Sequence, residues 1–321
     1  MKILIVKTTS MGDVVHALPA ISDIKKHDPQ AEIHWLVEAF FSGIPLSCPL
    51  VDKVISCRVR QWRKNIFSQG TWQEISALKK QLVLEQYDKV IDLQGLIKSV
   101  VLARLTKAPT YGYDKHSIKE PLASNFYTHR FSVSTSLPAI TRCRNLTALS
   151  LGYPIPKDEP QFVFKSYEKE MERKVLFFAN TSRDSKLWPE AKWIELGRKL
   201  TDQGIEILLP WGSNVEQERV CRIAEQIGSE ATVPPRKSIQ EMIALIGKSY
   251  AVVGLDTGMT HLSSAMGIPT VGIFRDYPIE LVPLAGNGPK IGLGGVNCCP
   301  EVSDVYVALE KVTHVNSESD L

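Results

Sequence analysis

Short apolar runs alternate along the chain with stretches of helical periodicity. Lys2–Lys7 is rich in Ile and Val, and Asp13–Lys26 after it has helical spacing. Glu32–Val37 and Val51–Ser56 read as strands, Trp72–Glu85 as a helix, Lys89–Leu93 as a strand and Leu96–Leu105 as a helix. Strands that are apolar throughout, separated by helices, predict βαβ units whose crossovers bury both faces of a parallel sheet. The pattern weakens over Tyr113–Leu137, predicting a long irregular connection, and a helix follows at Pro138–Leu149. Gly152–Pro160 holds three prolines, a glycine and several charges, the composition of a linker.

The alternation then restarts. Val175–Ala179, Ile205–Leu209, Ala231–Val233, Ala251–Leu255 and Thr270–Phe274 read as strands. Pro189–Thr201, Glu216–Ile227, Ile239–Ile246, His261–Met266 and Ser303–Val312 read as helices. The prediction is an α/β protein of two Rossmann-like domains, 1–152 and 161–302, joined by 153–160. The segment 303–321 forms a final helix and polar tail with the option of packing back on the first domain. In such sheets ligands bind at the carboxyl ends of the strands, so the loops from strand to helix are the places for chemistry.

Composition changes this picture little. The 321 residues are 44% hydrophobic and 23% charged, ordinary for a globular chain of two domains. No apolar run reaches the roughly 18 residues of a spanning helix, and Met1–Lys7 lacks a signal-peptide cleavage site. The six cysteines form no CxxC pair, which argues against zinc and a disulfide framework and for free thiols in a reducing cytoplasm. Charge changes more. Residues 1–160 carry 21 Lys and Arg against 14 Asp and Glu, while the rest carries 17 against 21. The first half therefore suits an anionic partner, or scatters its excess cations over solvated faces, without the dense basic and aromatic stripe of a nucleic-acid binder.

Four loops carry candidate chemistry. Thr8-Thr9-Ser10-Met11-Gly12-Asp13 opens the first helix, with hydroxyls and backbone N–H groups that suit an anion. Asp13 reads as a helix N-cap or as a general base at a strand end. Asn180–Pro189 holds Thr181, Ser182, Arg183 and Lys186, either a diphosphate cradle or a solvated helix start. In Pro210–Glu216, Glu216 is a ribose acceptor or a first-turn acid favoured by the helix dipole. Asp256-Thr257-Gly258-Met259-Thr260-His261 is a compact polar cluster at a strand end, without metal-ligand spacing around His261. Arg58–Lys64 is a basic stretch fit for phosphates, carboxylates or lipid heads, or for solvent alone. Gln94 and Lys98 stand at another strand end.

On these residues the chain resembles the lipopolysaccharide heptosyltransferases, nearest to the members that add the first heptose. The resemblance rests on MKILIVKTTSMGDVVHALPA, QWRK, DLQGLIKS, KEPLASNFY, TSRDSKLWPEAKW, LPWGSNVEQER and GLDTGMTHLSSAMG, in one order from Met1 to about Phe274. It implies a GT-B fold, two facing Rossmann-like domains with a central cleft. It implies inverting transfer of L-glycero-D-manno-heptose from ADP-heptose to the inner Kdo of Kdo-lipid A, with no metal or other cofactor. Asp13 then matches the general base and Lys186 the diphosphate lysine, helped by Thr181 and Ser182. Glu216 matches the ribose contact, and Asp256, Thr257, Gly258 and His261 the donor loop. Ser10, Gly12, Arg60, Arg63 and Lys119 fall on the acceptor side, Lys119 where an arginine is common. The chain departs from the pattern at Arg275–Glu280, where the family usually has a Gly-Pro-Thr-Asp-Pro-like turn, and the resemblance assigns no role to Gly292–Gly295 or Cys298-Cys299. A peripheral site on the cytoplasmic face of the inner membrane follows from such an acceptor. The rival readings are transfer of a later heptose, nucleotide-sugar binding without catalysis, and nicotinamide chemistry, the last opposed by the absence of GxGxxG.

Overall fold

The computed structural model describes residues 1–165 and 172–314. The chain divides into two compact units, Met1–Lys165 and Ser166–Leu321.

In the first unit the strands are β1 (Lys2–Val6), β2 (Glu32–Glu38), β3 (Lys53–Cys57), β4 (Lys89–Asp92), β5 (Thr110–Tyr113) and β6 (His129–Phe131). The helices are α1 (Met11–His27), α2 (Gly43–Leu46), α3 (Val59–Lys64), α4 (Gln69–Leu84), α5 (Ile97–Arg104) and α6 (Ala139–Leu151). The strands pair in parallel in the order β3-β2-β1-β4-β5-β6. Ile3, Leu4, Ile5 and Val6 are fully buried, which explains why β1 carries no polar alternation. The chain leaves β1 toward β2 on one side and returns at β4 on the other. The reversal is the topological switch point, where the ends of β1 and β4 part and leave a crevice.

The second unit repeats this plan. Its strands are β7 (Glu172–Phe178), β8 (Glu206–Leu208), β9 (Ala231–Thr232), β10 (Ser249–Leu255), β11 (Thr270–Phe274) and β12 (Lys290–Gly294). Its helices are α7 (Glu190–Thr201), α8 (Asn214–Ile227), α9 (Ile239–Lys248), α10 (Gly258–Ala265) and α11 (Val302–His314). The parallel order is β12-β11-β10-β7-β8-β9, so the switch point lies between β7 and β10. Trp188, Trp193 and Phe177 centre its core.

Several boundaries differ from the sequence reading. The irregular stretch after Tyr113 contains β6, a three-residue polar strand that edges the sheet and so needs no apolar pattern. The basic stretch 58–64 is the helix α3, anchored by buried Trp62. Lys290–Gly294 is an edge strand; Cβ atoms at Gly292 and Gly294 would crowd Phe274, which is why glycine replaces the usual β-branched residues. The final helix α11 belongs to the second unit: Val302, Val305, Ala308, Leu309 and Val312 join its core, where packing on the first domain had been an option. The tail 315–321 lies outside the described residues.

The proline-rich segment 153–160, expected to be a linker, is tied into the first unit through 165. Tyr153 stacks on His27 with ring centroids 4.3 Å apart, Ser22 Oγ donates to the Gln161 carbonyl, and Lys165 N–H donates to the Ser47 carbonyl. Buried Arg144 on α6 forks onto Asp23 of α1 at 2.8 and 2.9 Å and also reaches Asp158 at 2.9 Å. Burial disfavours its charge, but Asp23 and Asp158 outweigh that and hold the guanidinium above its ordinary pKa. Arg144→Leu would leave the Asp23 carboxylate buried without its partner. We expect a loss of about 3–5 kcal/mol in urea unfolding, partly regained by adding Asp23→Leu.

Candidate active site

Part of the residues singled out in the sequence meet at the two switch points, while Arg60, Arg63, Lys119 and Glu216 follow the outer strands β3, β5 and β8. In the first unit, Ser10 is the N-cap of α1 and Asp13 stands in its first turn, three residues on, so Asp13 is not itself the cap. Its Oδ2 reaches back to accept the Ser10 N–H at 2.9 Å and the Ser10 hydroxyl at 2.7 Å. Its Oδ1 faces Lys7 Nζ at 4.0 Å, and the Asp13 side chain stays 43% exposed. Partial burial pushes the carboxyl up, but the Lys7 charge and the Ser10 hydrogen bonds outweigh it, so its pKa falls below the ordinary carboxylate value. Lys7 is buried and donates to the Leu93 carbonyl at 2.8 Å, which fixes its ammonium beneath Asp13. An ionised, oriented and accessible carboxylate can take a proton. Gly12 is the second residue of the same helix.

The loop after β4 closes on the loop after β1. Gln94 Oε1 accepts the N–H groups of Thr8 and Thr9 at 3.0 and 2.9 Å, and Lys98 Nζ donates to Thr9 Oγ1 at 2.6 Å. Gln94 is set by the turn beneath it: fully buried Asp92 accepts from the N–H groups of Gln94 and Gly95 and from the hydroxyls of Ser99 and Tyr127. Gly95 takes φ +70° in that turn, a conformation that favours glycine. Arg60 lies on α3, with its N–H held by Glu38 and its guanidinium 5.3 Å above the Phe41 ring. Burial and the neighbouring Arg60 lower the Lys98 pKa, with Arg63 adding to the effect. A cluster of positive charge therefore stands beside Ser10 and Asp13. Lys119 is exposed in the turn after β5, and its neighbour Glu120 accepts the Ile97 N–H at 2.7 Å, tying that turn to the start of α5.

In the second unit the loops after β7 and β10 meet in the same way. Lys186 Nζ donates to Asp256 Oδ2, and His261 Nε2 lies 3.1 Å from Asp256 Oδ1. Burial raises the Asp256 pKa, but His261 and Lys186 outweigh it and the carboxyl ends below its ordinary value. Thr257 is the N-cap of α10 and Gly258 its first residue, so this helix begins before the predicted His261. The start of α10 directly follows Asp256, the partner of Lys186, and a helix N-terminus beside a lysine suits an anion. Thr181 and Ser182 stand in the loop after β7, partly buried and exposed respectively. Glu216 closes a capping box at the start of α8: its Oε2 accepts from Gly212 N–H at 2.7 Å and Ser213 N–H at 3.2 Å.

Sequence reasoning missed Lys7 and Glu38. For Lys7 the available signal was a lysine ending a wholly apolar strand. Glu38 has no such signal, being indistinguishable in sequence from any acid at a strand end. Arg275 and Asp276 were also left unassigned. Among the described residues, one His and two carboxylates lie close enough for a metal, Glu32, His34 and Glu85. They sit at the opposite, amino ends of the strands, and Lys2 Nζ already stands 3.1 Å from both glutamates.

Two sheets of one doubly wound order, each with polar loops meeting at its switch point, define a GT-B glycosyltransferase fold. The chain belongs to glycosyltransferase family 9, the heptosyltransferases, whose model matches residues 75–309. It is 38% identical over 280 residues to lipopolysaccharide heptosyltransferase 1 of Salmonella typhimurium, covering 85% of this chain and 88% of that one. It is 38% identical over 285 residues to the Pseudomonas aeruginosa protein of the same name, covering 85% and 78%. Against Salmonella lipopolysaccharide heptosyltransferase 2, identity is 21% over 303 residues, covering 88% and 85%. Among solved structures, the E. coli heptosyltransferase WaaC with ADP superposes at a TM-score of 0.86 and 35% identity, over 99% of both chains. The chain is accordingly an enzyme that transfers heptose in lipopolysaccharide synthesis.

Proposed function

We propose that the enzyme makes the first such transfer, moving L-glycero-D-manno-heptose from ADP-heptose to the inner Kdo of Kdo-lipid A. The observation that carries this choice is 38% identity to heptosyltransferase 1 proteins against 21% to a heptosyltransferase 2. A structure similar at a TM-score of 0.83 and 35% identity, over 98% of this chain and 100% of that one, is WaaC with ADP-2-deoxy-2-fluoro heptose, which supports ADP-heptose as donor.

In this reading the reaction is a single inverting displacement that needs no metal or other cofactor. Asp13 takes the proton of the attacking acceptor hydroxyl. Lys186, Thr181, Ser182 and the start of α10 at Thr257 and Gly258 receive the departing diphosphate. Asp256, itself held by His261, holds Lys186, both residues line the sugar, and Glu216 binds the ribose with the oxygen its capping bonds leave over. Fixed positive charge where negative charge develops lowers the barrier. Ser10, Gly12, Arg60, Arg63 and Lys119 meet the acceptor, whose carboxylates and phosphates suit the cluster beside Asp13. At Lys119 the contact is a point charge without the two-pronged geometry of an arginine.

The same reading puts the enzyme peripherally on the cytoplasmic face of the inner membrane. No helix among the described residues is long and apolar enough to cross a membrane. The turn between α3 and α4, however, exposes Ile66 at 50% and Phe67 at 99%, and the first turn of α4 exposes Trp72 at 57%, beside exposed Arg58, Arg63 and Lys64. Apolar side chains ringed by cations suit an anionic bilayer surface. Phe67→Ser should weaken sedimentation with phosphatidylglycerol vesicles about 3–10-fold, the scale of one buried aromatic, and added salt should weaken the wild type further.

The function is tested by ADP release from ADP-heptose with Kdo-lipid A, with and without EDTA. Acceptor-dependent release that survives EDTA supports the reading. Release only with an acceptor that already bears a heptose overturns the first-transfer assignment, and ADP-heptose binding without release from either acceptor overturns catalysis.

A further inference from the structure

The dipeptide Arg275-Asp276, where the chain departs from the family turn, grips the loop that carries Lys186. It follows β11 directly, and β11 neighbours β10 in the sheet. Asp276 Oδ2 accepts the Ser185 hydroxyl at 2.5 Å. Arg275 donates to the Leu187 carbonyl. The residues on both sides of Lys186 are thus held by neighbours in sequence, while Lys186 itself stands between two carboxylates. Asp256 hydrogen-bonds its ammonium, and Asp276 Oδ1 faces the same Nζ at 3.8 Å. That Oδ1 is buried and makes no hydrogen bond among the described residues, so the Lys186 charge is what it faces.

One ammonium between two carboxylates carries no surplus positive charge to offer. An incoming diphosphate meets a lysine that is already neutralised, and it adds charge of the same sign as both acids. One of them has to yield. Asp256 is tied to His261 and hydrogen-bonds Lys186 directly; Asp276 has the longer contact and no other bond at Oδ1. The weaker partner gives way.

We propose that Asp276 is a resident counter-ion that competes with the donor diphosphate for Lys186 and so sets donor affinity. This rests on the reading of Lys186 as the diphosphate lysine. Asp276 is a positioning residue: it acts through Lys186 and through its hold on Ser185. In the free enzyme it keeps the ammonium in place; when ADP leaves, it takes the lysine back, which favours product release. A residue that merely braced the loop would have the opposite effect on removal, since a looser loop binds ADP less well.

The test is calorimetry of ADP binding to the full chain at fixed ionic strength, beside steady-state kinetics with ADP-heptose. Asp276→Asn keeps an acceptor for Ser185 and removes the charge. ADP should bind about tenfold more tightly, the scale of one close charge contact, and the donor KM should fall while kcat does not rise. Asp276→Ser, shorter and uncharged, should tighten ADP in the same direction, and melting curves check that both variants are folded. In a Lys186→Ala background the gain from Asp276→Asn should shrink at least about threefold, because no lysine remains to be released. Unchanged or weakened ADP binding in both Asp276 variants overturns the proposal, as does a gain of equal size with and without the lysine. Lys186→Ala alone reports on the underlying reading. If it leaves ADP affinity unchanged, the diphosphate role of Lys186 fails and the counter-ion role with it. If it weakens ADP while Asp276→Asn does nothing, only the counter-ion role fails.

Discussion

Asp13→Ala should lower kcat for ADP release by about 10²–10⁴-fold, the usual contribution of a positioned general base, with ADP affinity kept within about twofold. The carboxylate does two things, and they can be separated. It closes the capping box of α1 by accepting the Ser10 N–H and hydroxyl, and it presents a charged, part-exposed oxygen toward Lys7. Asp13→Asn keeps an acceptor for Ser10 and loses the base. It should therefore fold like the wild type and be as inactive as Asp13→Ala. Activity in Asp13→Asn near the wild-type level would reduce Asp13 to the capping-box partner of Ser10. The pH dependence has a definite sign. The ionised carboxylate is the active form and its pKa is lowered from 3.8, so the active form persists to lower pH than for a free aspartate. The kcat/KM profile should show no acid limb from Asp13 between about pH 8 and 5, where a carboxylate of lowered pKa is fully ionised.

Lys186→Ala should lower kcat/KM for the donor by about 10²–10³-fold, the cost of removing one preorganised group at a developing charge. Asp256 would lose its ammonium partner and keep His261, so the fold around it should survive. Lys186→Arg retains the charge and should recover all but about tenfold of the activity, the fork being a poor geometric match for a site shaped to a point charge. Equal losses in the alanine and arginine variants would mean that geometry, not charge, is what the reaction needs there.

The strand and helix order was legible because the central strands are buried on both faces and apolar throughout; Ile3–Val6 and Val252–Leu255 announce themselves. The edges were not. His129–Phe131 is half solvated and Lys290–Gly294 is glycine-rich, and neither gives the run of Val and Ile that marks a buried strand. The basic stretch at 58–64 hid a helix because its one buried anchor, Trp62, sits among four Arg and Lys side chains. The proline-rich segment after Gly152 has linker composition, yet Asp158 meets Arg144, a contact that no local pattern encodes. For the candidate site, loop positions after strands were enough to bring forward Asp13, Lys186, Asp256 and His261. What composition could not supply was their pairing. That Gln94 ties down Thr8 and Thr9, or that Asp256 holds both Lys186 and His261, depends on which strands are neighbours at each switch point. Periodicity alone leaves that strand order open.

The repeated strand order has a consequence for how such a chain can change. The working loops begin where a buried strand ends: Phe274 at the end of β11 is 0% exposed, and Arg275 and Asp276 come immediately after it. Arg275 and Asp276 shape the surroundings of Lys186 from outside the sheet, which stays buried beneath them. Each half is a chassis whose interior and working face are built from different residues, so a change at the strand ends leaves the buried core untouched.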